Sequence, residues 1–368
     1  MSEKTATPFV HVVQRAAIAP GKLVAIRLAA ILLALVTGGI FLLFLNQNPL
    51  VIYQTMVTGA VGSTISLRET VKIAIPLCVS ALGITLAFKM RFWNIGAEGQ
   101  ICVGAIAGSF FAYTFGASWP SQVLIPVMLV SGAIMGGLWG AIPAWFKTRF
   151  GTNETLFTLM MNYVAQYFIQ FLREGPWRDP TAMGFPIMPR FEKAARLPKL
   201  LGIHVGWVIA LVLVVLVFLY LRYTKQGYEL TVVGENENTA RYAGMPVKKI
   251  VLRTMFLSAA ICGLAGVMQV SGADMQLTDS VAGGVGFTDI IVAWLARLSP
   301  AGILLTSILF GIMEKGSGTI ESTFKISPSM ADVLQGIILF FVLGAEFFIN
   351  YRLMFRSRVE KDLLIKVK

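Results

Sequence analysis

In a chain of 368 residues, 56% are apolar types and only 14% are charged, whereas a soluble domain carries about 25% charged residues. That balance excludes a disordered chain, a secreted disulfide scaffold and an ordinary soluble enzyme. The net charge of +12 does not point to nucleic acid, because the cations lie in the gaps between apolar blocks, where membrane topology places them.

Crossing the hydrocarbon layer takes about 20 mostly apolar residues, and the apolar blocks are of that length. The fold expected is therefore an all-α polytopic membrane protein of about ten transmembrane helices, in contact with lipid. In chain order the predicted spans are 24–45, 71–88, 95–115, 121–146, 155–172, 206–221, 254–270, 287–298, 301–314 and 330–349. The eighth, over 287–298, is short and reads as a broken or half helix. The first block follows Lys4, Arg15 and Lys22, but its run from Leu28 to Leu45 is too long for a signal peptide, so it is expected to be retained. Distributing the cations about these spans favours both termini on the cytoplasmic side, with Lys and Arg concentrated there. The expected organisation is a cytoplasmic segment over 1–23, a transmembrane domain over 24–349 and a basic cytoplasmic tail over 350–368. An outer loop over 173–205 and a cytoplasmic loop over 222–253 interrupt the domain. Pro176, Pro180, Pro186, Pro189 and Pro198 predict an irregular, exposed outer loop.

Much familiar chemistry is missing. The sequence holds no G-x4-G-K-[ST] phosphate loop, no HExxH and no G-x-S-x-G. Cys78, Cys102 and Cys262 sit inside apolar stretches without metal-ligand spacing. Ionisable residues for proton coupling are few: Glu98, Asp289, Asp332 and Glu346. A catalytic role or a metal site in this chain has no support. A stand-alone secondary carrier is weakened without being excluded, since sodium sites can use carbonyls and hydroxyls.

Four segments carry information. Gly104-x3-Gly108 on one span and Gly132-x3-Gly136-x3-Gly140 on the next are packing marks, which leaves function to the rest. Asn94-Ile-Gly-Ala-Glu98-Gly-Gln100 enters the third span with two glycines and three polar side chains; it reads equally as an unwound transporter element or as a self-satisfied interfacial turn. Asn162, Gln166 and Gln170 recur every four residues on the fifth span, so they form one polar stripe, either a path for a neutral polar solute or interhelical glue. Gly283-Gly284-Val-Gly286-Phe287-Thr-Asp289, running on to Trp294 and stopped by Pro300, gives a helix of roughly half a bilayer. Short segments broken by Gly and Pro point to a substrate site, while Phe287 and Trp294 serve either a ligand or plain packing. In loop 222–253, Asn236 or Asn238 can cap a helix of about two turns that Gly244 and Pro246 end. Such a helix is too short to stand alone, and its small face with a projecting Arg241 and Tyr242 suits docking into a partner's groove as well as it suits an ordinary connector.

Four phrases occur in this order: Asn94-Ile-Gly-Ala-Glu-Gly-Gln; Asn153-Glu-Thr-Leu-Phe-Thr-Leu-Met-Met-Asn-Tyr; Val233-Gly-Glu-Asn-x3-Ala-Arg-Tyr-Ala-Gly; and Gly286-Phe-Thr-Asp-Ile-Ile-Val-Ala-Trp-Leu-Ala-Arg-Leu-Ser-Pro. Together the chain resembles permease subunits of bacterial ABC importers in the branched-chain amino acid and simple-sugar permease superfamily, and most of all the nucleoside-type branch, over nearly its whole length. The resemblance implies a transport subunit of the bacterial cytoplasmic membrane, not an enzyme. It implies an ATPase partner, often two fused nucleotide-binding halves, which holds the ATP and Mg while this chain holds no cofactor. It also implies a second homologous permease or a second copy, and an extracytoplasmic solute-binding protein of the basic membrane protein class. The solute implied is a nucleoside. Where the family phrase ends in a small residue or leucine, Trp294 stands here, which keeps riboflavin-like heterocycles, sugars and branched-chain amino acids open as alternatives. The coupling helix to the ATPase would comprise Gly234, Glu235, Asn238, Ala240, Arg241 and Gly244. The candidate substrate path is Asn94, Glu98, Gln100, Asn162, Gln166, Phe287, Asp289 and Trp294.

Overall fold

A computed structural model describes residues 10–14 and 20–355. Lys4, Arg15 and the tail cations beyond Phe355 lie outside them, as do the side chains of Asp332 and Glu346. The elements in chain order are β1 (Val10–Gln14), α1 (Pro20–Phe44), α2 (Pro49–Val61), α3 (Thr64–Lys89), α4 (Ala97–Phe115), α5 (Ser121–Phe150) and α6 (Glu154–Glu174). There follow β2 (Lys199–Leu200), β3 (Ile203–His204), α7 (Gly206–Tyr223), α8 (Lys225–Glu235), α9 (Glu237–Tyr242) and α10 (Val247–Met268), which continues into a π-helical turn, Gln269–Asp274. α11 (Val285–Leu295), α12 (Pro300–Phe324), α13 (Pro328–Asn350) and β4 (Tyr351–Phe355) complete the chain.

The chain is mostly helical, and a helix lies over each stretch expected to be apolar. Among the described residues, length and composition alone single out five helices able to cross a membrane: α3, α5, α7, α10 with its π turn, and α12. A sixth span arises if α1 and α2 act together, although they meet at a bend of 116°. α2, α8 and the short strands have no counterpart in the predicted spans. α2 is apolar but only 13 residues long, and α8 and the strands are shorter and more polar, so none carries the membrane-length run those spans rest on.

The fold divides into two units. The smaller comprises Met1–Gly59 and Gly316–Lys368. In it α1 packs along α13, and β1 pairs antiparallel with β4 from Val10 opposite Phe355 to Gln14 opposite Tyr351. The Tyr53 hydroxyl donates to the Leu35 carbonyl at 2.8 Å, which ties α2 back onto α1.

The larger unit, Ala60–Lys315, is built around α10, with α3, α4 and α5 packed on it. Small residues let the backbones meet. A Cβ on Gly104 would lie 2.3 Å from the Gly263 carbonyl oxygen, and one on Gly136 would lie 2.7 Å from that of Ala259. Cys78, Cys102 and Cys262 are free thiols buried in this core. α7 instead buries only Gly206, Ala210 and Val217 of its 18 residues, as a helix facing lipid does.

The segment over 173–205 corrects the expectation of an irregular exposed loop. Its first half is exposed, with Met183 and Phe185 uncovered. Its second half is a strap over the π turn. The Phe191 amide donates to the Met275 carbonyl at 2.8 Å and the Leu197 amide to that of Ser271 at 2.9 Å, while Met188, Phe191, Ala195 and Leu197 are buried. The last carbonyls of a helix have no internal donor, and the strap supplies one to Ser271 in the π turn and one to Met275 just past it. His204 closes the strap, wedged against Gly206 and Gly272.

Candidate functional site

Two constructions in the larger unit carry the chemistry. The first is the short helix α9. Asn236 takes extended φ and ψ and accepts from the Thr239 amide at 3.1 Å. It is therefore the cap, and Asn238 sits exposed in the first turn instead. Gly244 ends the helix in the left-handed conformation, φ 76°, with its amide on the Arg241 carbonyl at 3.0 Å. The brace that a two-turn helix needs comes from the chain itself. Ala240 is fully buried in an apolar cluster with Met90, Phe92, Ala144, Val247 and Val251, drawn from the ends of α3, α5 and α10. α8 joins the same cluster through Leu230 and Val233. Gly234 lies so close to the end of α3 that a Cβ there would stand 2.0 Å from the Lys89 carbonyl oxygen.

With its small face used inward, α9 presents Asn238, Arg241 and Tyr242 outward, Tyr242 being 93% exposed, and Glu235, also exposed, ends α8 beside it. Arg241 pairs with Glu237 at 2.5 Å. Beside it opens a cleft of about 520 Å³ whose lining includes Lys147, Glu154, Glu237, Arg241 and Lys248. Lys147 and Glu154 pair at 2.5 Å across the turn from α5 to α6. The result is an exposed, charged surface.

The second construction is the corner between α3 and α4. Asn94 and Gln100 exchange side-chain hydrogen bonds: the Asn94 amide donates to Gln100 Oε1 at 3.2 Å, and the Gln100 amide donates to Asn94 Oδ1 at 3.0 Å. Asn94 Oδ1 also accepts from the Gly96 amide at 3.0 Å. From α6, Asn162 Oδ1 accepts from the Gly99 amide at 2.9 Å, and its amide donates to the Ile95 carbonyl at 2.8 Å. Thr158, one turn earlier on α6, accepts from the Ile95 amide at 3.2 Å. Every side-chain amide in the corner is thus engaged internally, and Asn94, Gln100 and Asn162 are buried. Gln166 is half-buried and Gln170 exposed on the same helix.

Glu98 reaches from this corner to α11. Its two carboxyl oxygens accept from the Gly284 and Gly286 amides, each at 2.8 Å. Asp289, the next turn along α11, is fully buried. The Ser80 hydroxyl lies beside it but donates to the Pro76 carbonyl, and among the described residues neither Asp289 oxygen receives a hydrogen bond. On the other side of α11 the aromatics are open. Phe287 is 41% exposed, and Trp294, 45% exposed, stacks on Trp93 with ring centroids 5.9 Å apart and planes 24° from parallel. Phe88 packs against both tryptophans.

Of the predicted path residues, the structure therefore joins Asn94, Glu98, Gln100 and Asn162 into one braced corner, carries Phe287 and Trp294 on the exposed side of α11, encloses Asp289, and leaves Gln166 apart from the hydrogen bonds of the corner. Thr158 and Trp93 belong to the same construction. Thr158 lies four residues before Asn162 and so shares its face. Trp93 stands directly before Asn94, but a lone interfacial tryptophan has a ready reading as a membrane anchor.

A family model described as "Branched-chain amino acid transport system / permease component" matches residues 66–343. Similar curated proteins include the glucose ABC transporter permease protein TsgB13 of Haloferax volcanii, 32% identical, with 88% of this chain and 87% of that protein covered. The guanosine ABC transporter permease protein NupP of Bacillus subtilis is 29% identical, with 86% and 92% covered. The nucleoside ABC transporter permease protein NupB of Lactococcus lactis is 28% identical, with 87% and 90% covered. ABC permeases are not enzymes themselves; they work with ATPase and solute-binding subunits. With the motifs, the helical membrane architecture and these matches in agreement, the chain belongs to the permease family of ABC importers.

Proposed function

We propose that this chain forms one half of the translocation path of a bacterial inner-membrane importer for nucleosides. Its ten helices over the predicted spans would cross the membrane with both termini in the cytoplasm. The pairing of β1 with β4, which brings residues 10–14 beside residues 351–355, supports that reading. α9 would then face the cytoplasm and dock into the ATPase through Asn238, Arg241 and Tyr242, with Glu235 at the end of α8 beside them, while Gly234, Ala240 and Gly244 hold the segment in place. ATP and Mg would bind that ATPase, fused or paired, with no cofactor in this chain. A second permease or a second copy would complete the path, and an extracytoplasmic protein would deliver the solute.

The observation that carries the nucleoside reading is the pairing of a fully engaged amide corner with open aromatic faces at Phe287, Trp93 and Trp294. A nucleoside is uncharged, flat at one end and hydroxylated at the other, so aromatic surface binds it without a fixed charge. Relatives named for guanosine and for nucleosides match along most of their length. A sugar is the second reading, favoured by the relative named for glucose at 32% identity.

The test is uptake of labelled guanosine and labelled glucose into proteoliposomes that hold the permease with its ATPase and binding protein. Guanosine uptake that excess glucose does not reduce supports the proposal; glucose uptake alone overturns it in favour of the second reading. Phe287→Ala is expected to lower solute uptake several-fold more than basal ATP hydrolysis, and an equal loss of both would make Phe287 a structural residue.

A further inference from the structure

We propose that Glu98 is the positioning residue of the half helix α11: its carboxyl group occupies the anion seat at that helix's N-terminus and so fixes where Phe287 stands. The first amides of any helix lack an internal acceptor, and a short helix has little else to hold its first turn. α11 has 11 residues. Its cap position is Gly284, in the left-handed conformation at φ 82°, and it has no side chain with which to cap.

The acceptors come instead from another helix far away in sequence. Both Glu98 oxygens are spent on this task, one on Gly284 and one on Gly286, each at 2.8 Å. Glu98 also stands in the first turn of its own helix α4, so one carboxyl group serves the positive ends of two helices. The two helices meet without a gap, because a Cβ on Gly286 would lie 2.2 Å from the Glu98 nitrogen. Phe287 follows directly. Its exposed ring is therefore referred, through Gly286 and Glu98, to the corner that Asn94, Gln100 and Asn162 brace.

A half-helix N-terminus is where a transporter can seat an anionic group of its solute. Here that seat is already filled from within, which leaves the path to uncharged solutes. This consequence rests on the nucleoside reading, whereas the positioning role does not.

The experiment uses the assembled importer in proteoliposomes and the purified chain in detergent, with sodium acetate as the probe. Glu98→Ala leaves two bare amides and a gap of carboxylate size. Solute uptake is expected to fall roughly tenfold or more, since small misplacements at a working site cost that much. Acetate is expected to restore uptake in a saturable manner and to raise the thermal midpoint of the variant but not of the wild type. Neutral acetamide is expected to do neither. Unchanged uptake in Glu98→Ala, or rescue by acetamide as good as by acetate, would overturn the proposal, as would a loss on which acetate has no effect. If Glu98→Ala does not assemble, Glu98→Gln decides, because it keeps the volume but one acceptor only: reduced uptake supports the role and wild-type uptake removes it. The acetate effect on the thermal midpoint is read without any solute, so it stands or falls separately from the choice of nucleoside or sugar.

Discussion

Asn162 shows how a single side chain takes on its meaning from its partners. In sequence it begins a polar stripe that fits a solute path as well as glue; in the structure both ends of its amide go to the backbone of the 94–100 corner. Asn162→Ala would leave a buried N–H and a buried C=O unpaired, at roughly 1–3 kcal/mol. The expected outcome is a lower thermal midpoint of the purified chain together with a parallel loss of uptake and coupling; an undisturbed midpoint with lost uptake would return Asn162 to the path.

His204 makes a prediction about pH. Burial, and secondly the Lys72 ammonium, push its imidazole down to about 4, and Nδ1 has no hydrogen-bond partner among the described residues. The unfolded chain binds that proton near pH 6.5 and the folded one only near 4, so the unfolded state holds more protons between these values. Stability contributed by the neutral ring is complete above about pH 6.5 and is lost as pH falls toward 4, by as much as ~3 kcal/mol. Thermal unfolding across that range should show the loss in the wild type and a shallower slope in His204→Asn. An identical slope in both would mean that another group carries it.

Among the elements, α9 was the most legible. Its cap, its stop and its small face are all local signals; of the two caps the sequence allows the structure uses Asn236, and it turns the small face at Ala240 inward instead of toward a partner. What seats it was not legible, because Ala87, Ala144 and Met255 of its apolar cluster come from three distant helices. Gly234→Ala would drive a methyl group into the Lys89 carbonyl and lift α8 from that cluster, at about 1–3 kcal/mol. Gly244→Ala would strain a left-handed residue by about 1–2 kcal/mol. Both variants, and Arg241→Ala at the exposed face, are expected to insert normally but to weaken solute-stimulated ATP hydrolysis in the complex. Full coupling in all three would remove α9 from the contact with the ATPase. The half helix α11 was equally visible from its glycines and Pro300, whereas the strap over the π turn was hidden. Five prolines signal irregular backbone, but they do not reveal that buried Phe191 and Leu197 anchor it.

At the scale of the molecule, composition sufficed for a helical membrane protein, and the four phrases sufficed for the family that the matches over 66–343 establish. The pairing of Glu98 with Gly284 and Gly286 could not be read, since contacts across nearly 190 positions leave no trace in local spacing. As proposed, this permease would couple to its ATPase through α9. The measurement that bears on it most directly is gentle purification of the tagged chain from its native membrane, with mass spectrometry of whatever accompanies it. An ABC ATPase is expected in stoichiometric amount, lost or depleted when Arg241 is replaced by Ala. A chain that purifies alone and moves solute into liposomes without ATP would contradict it.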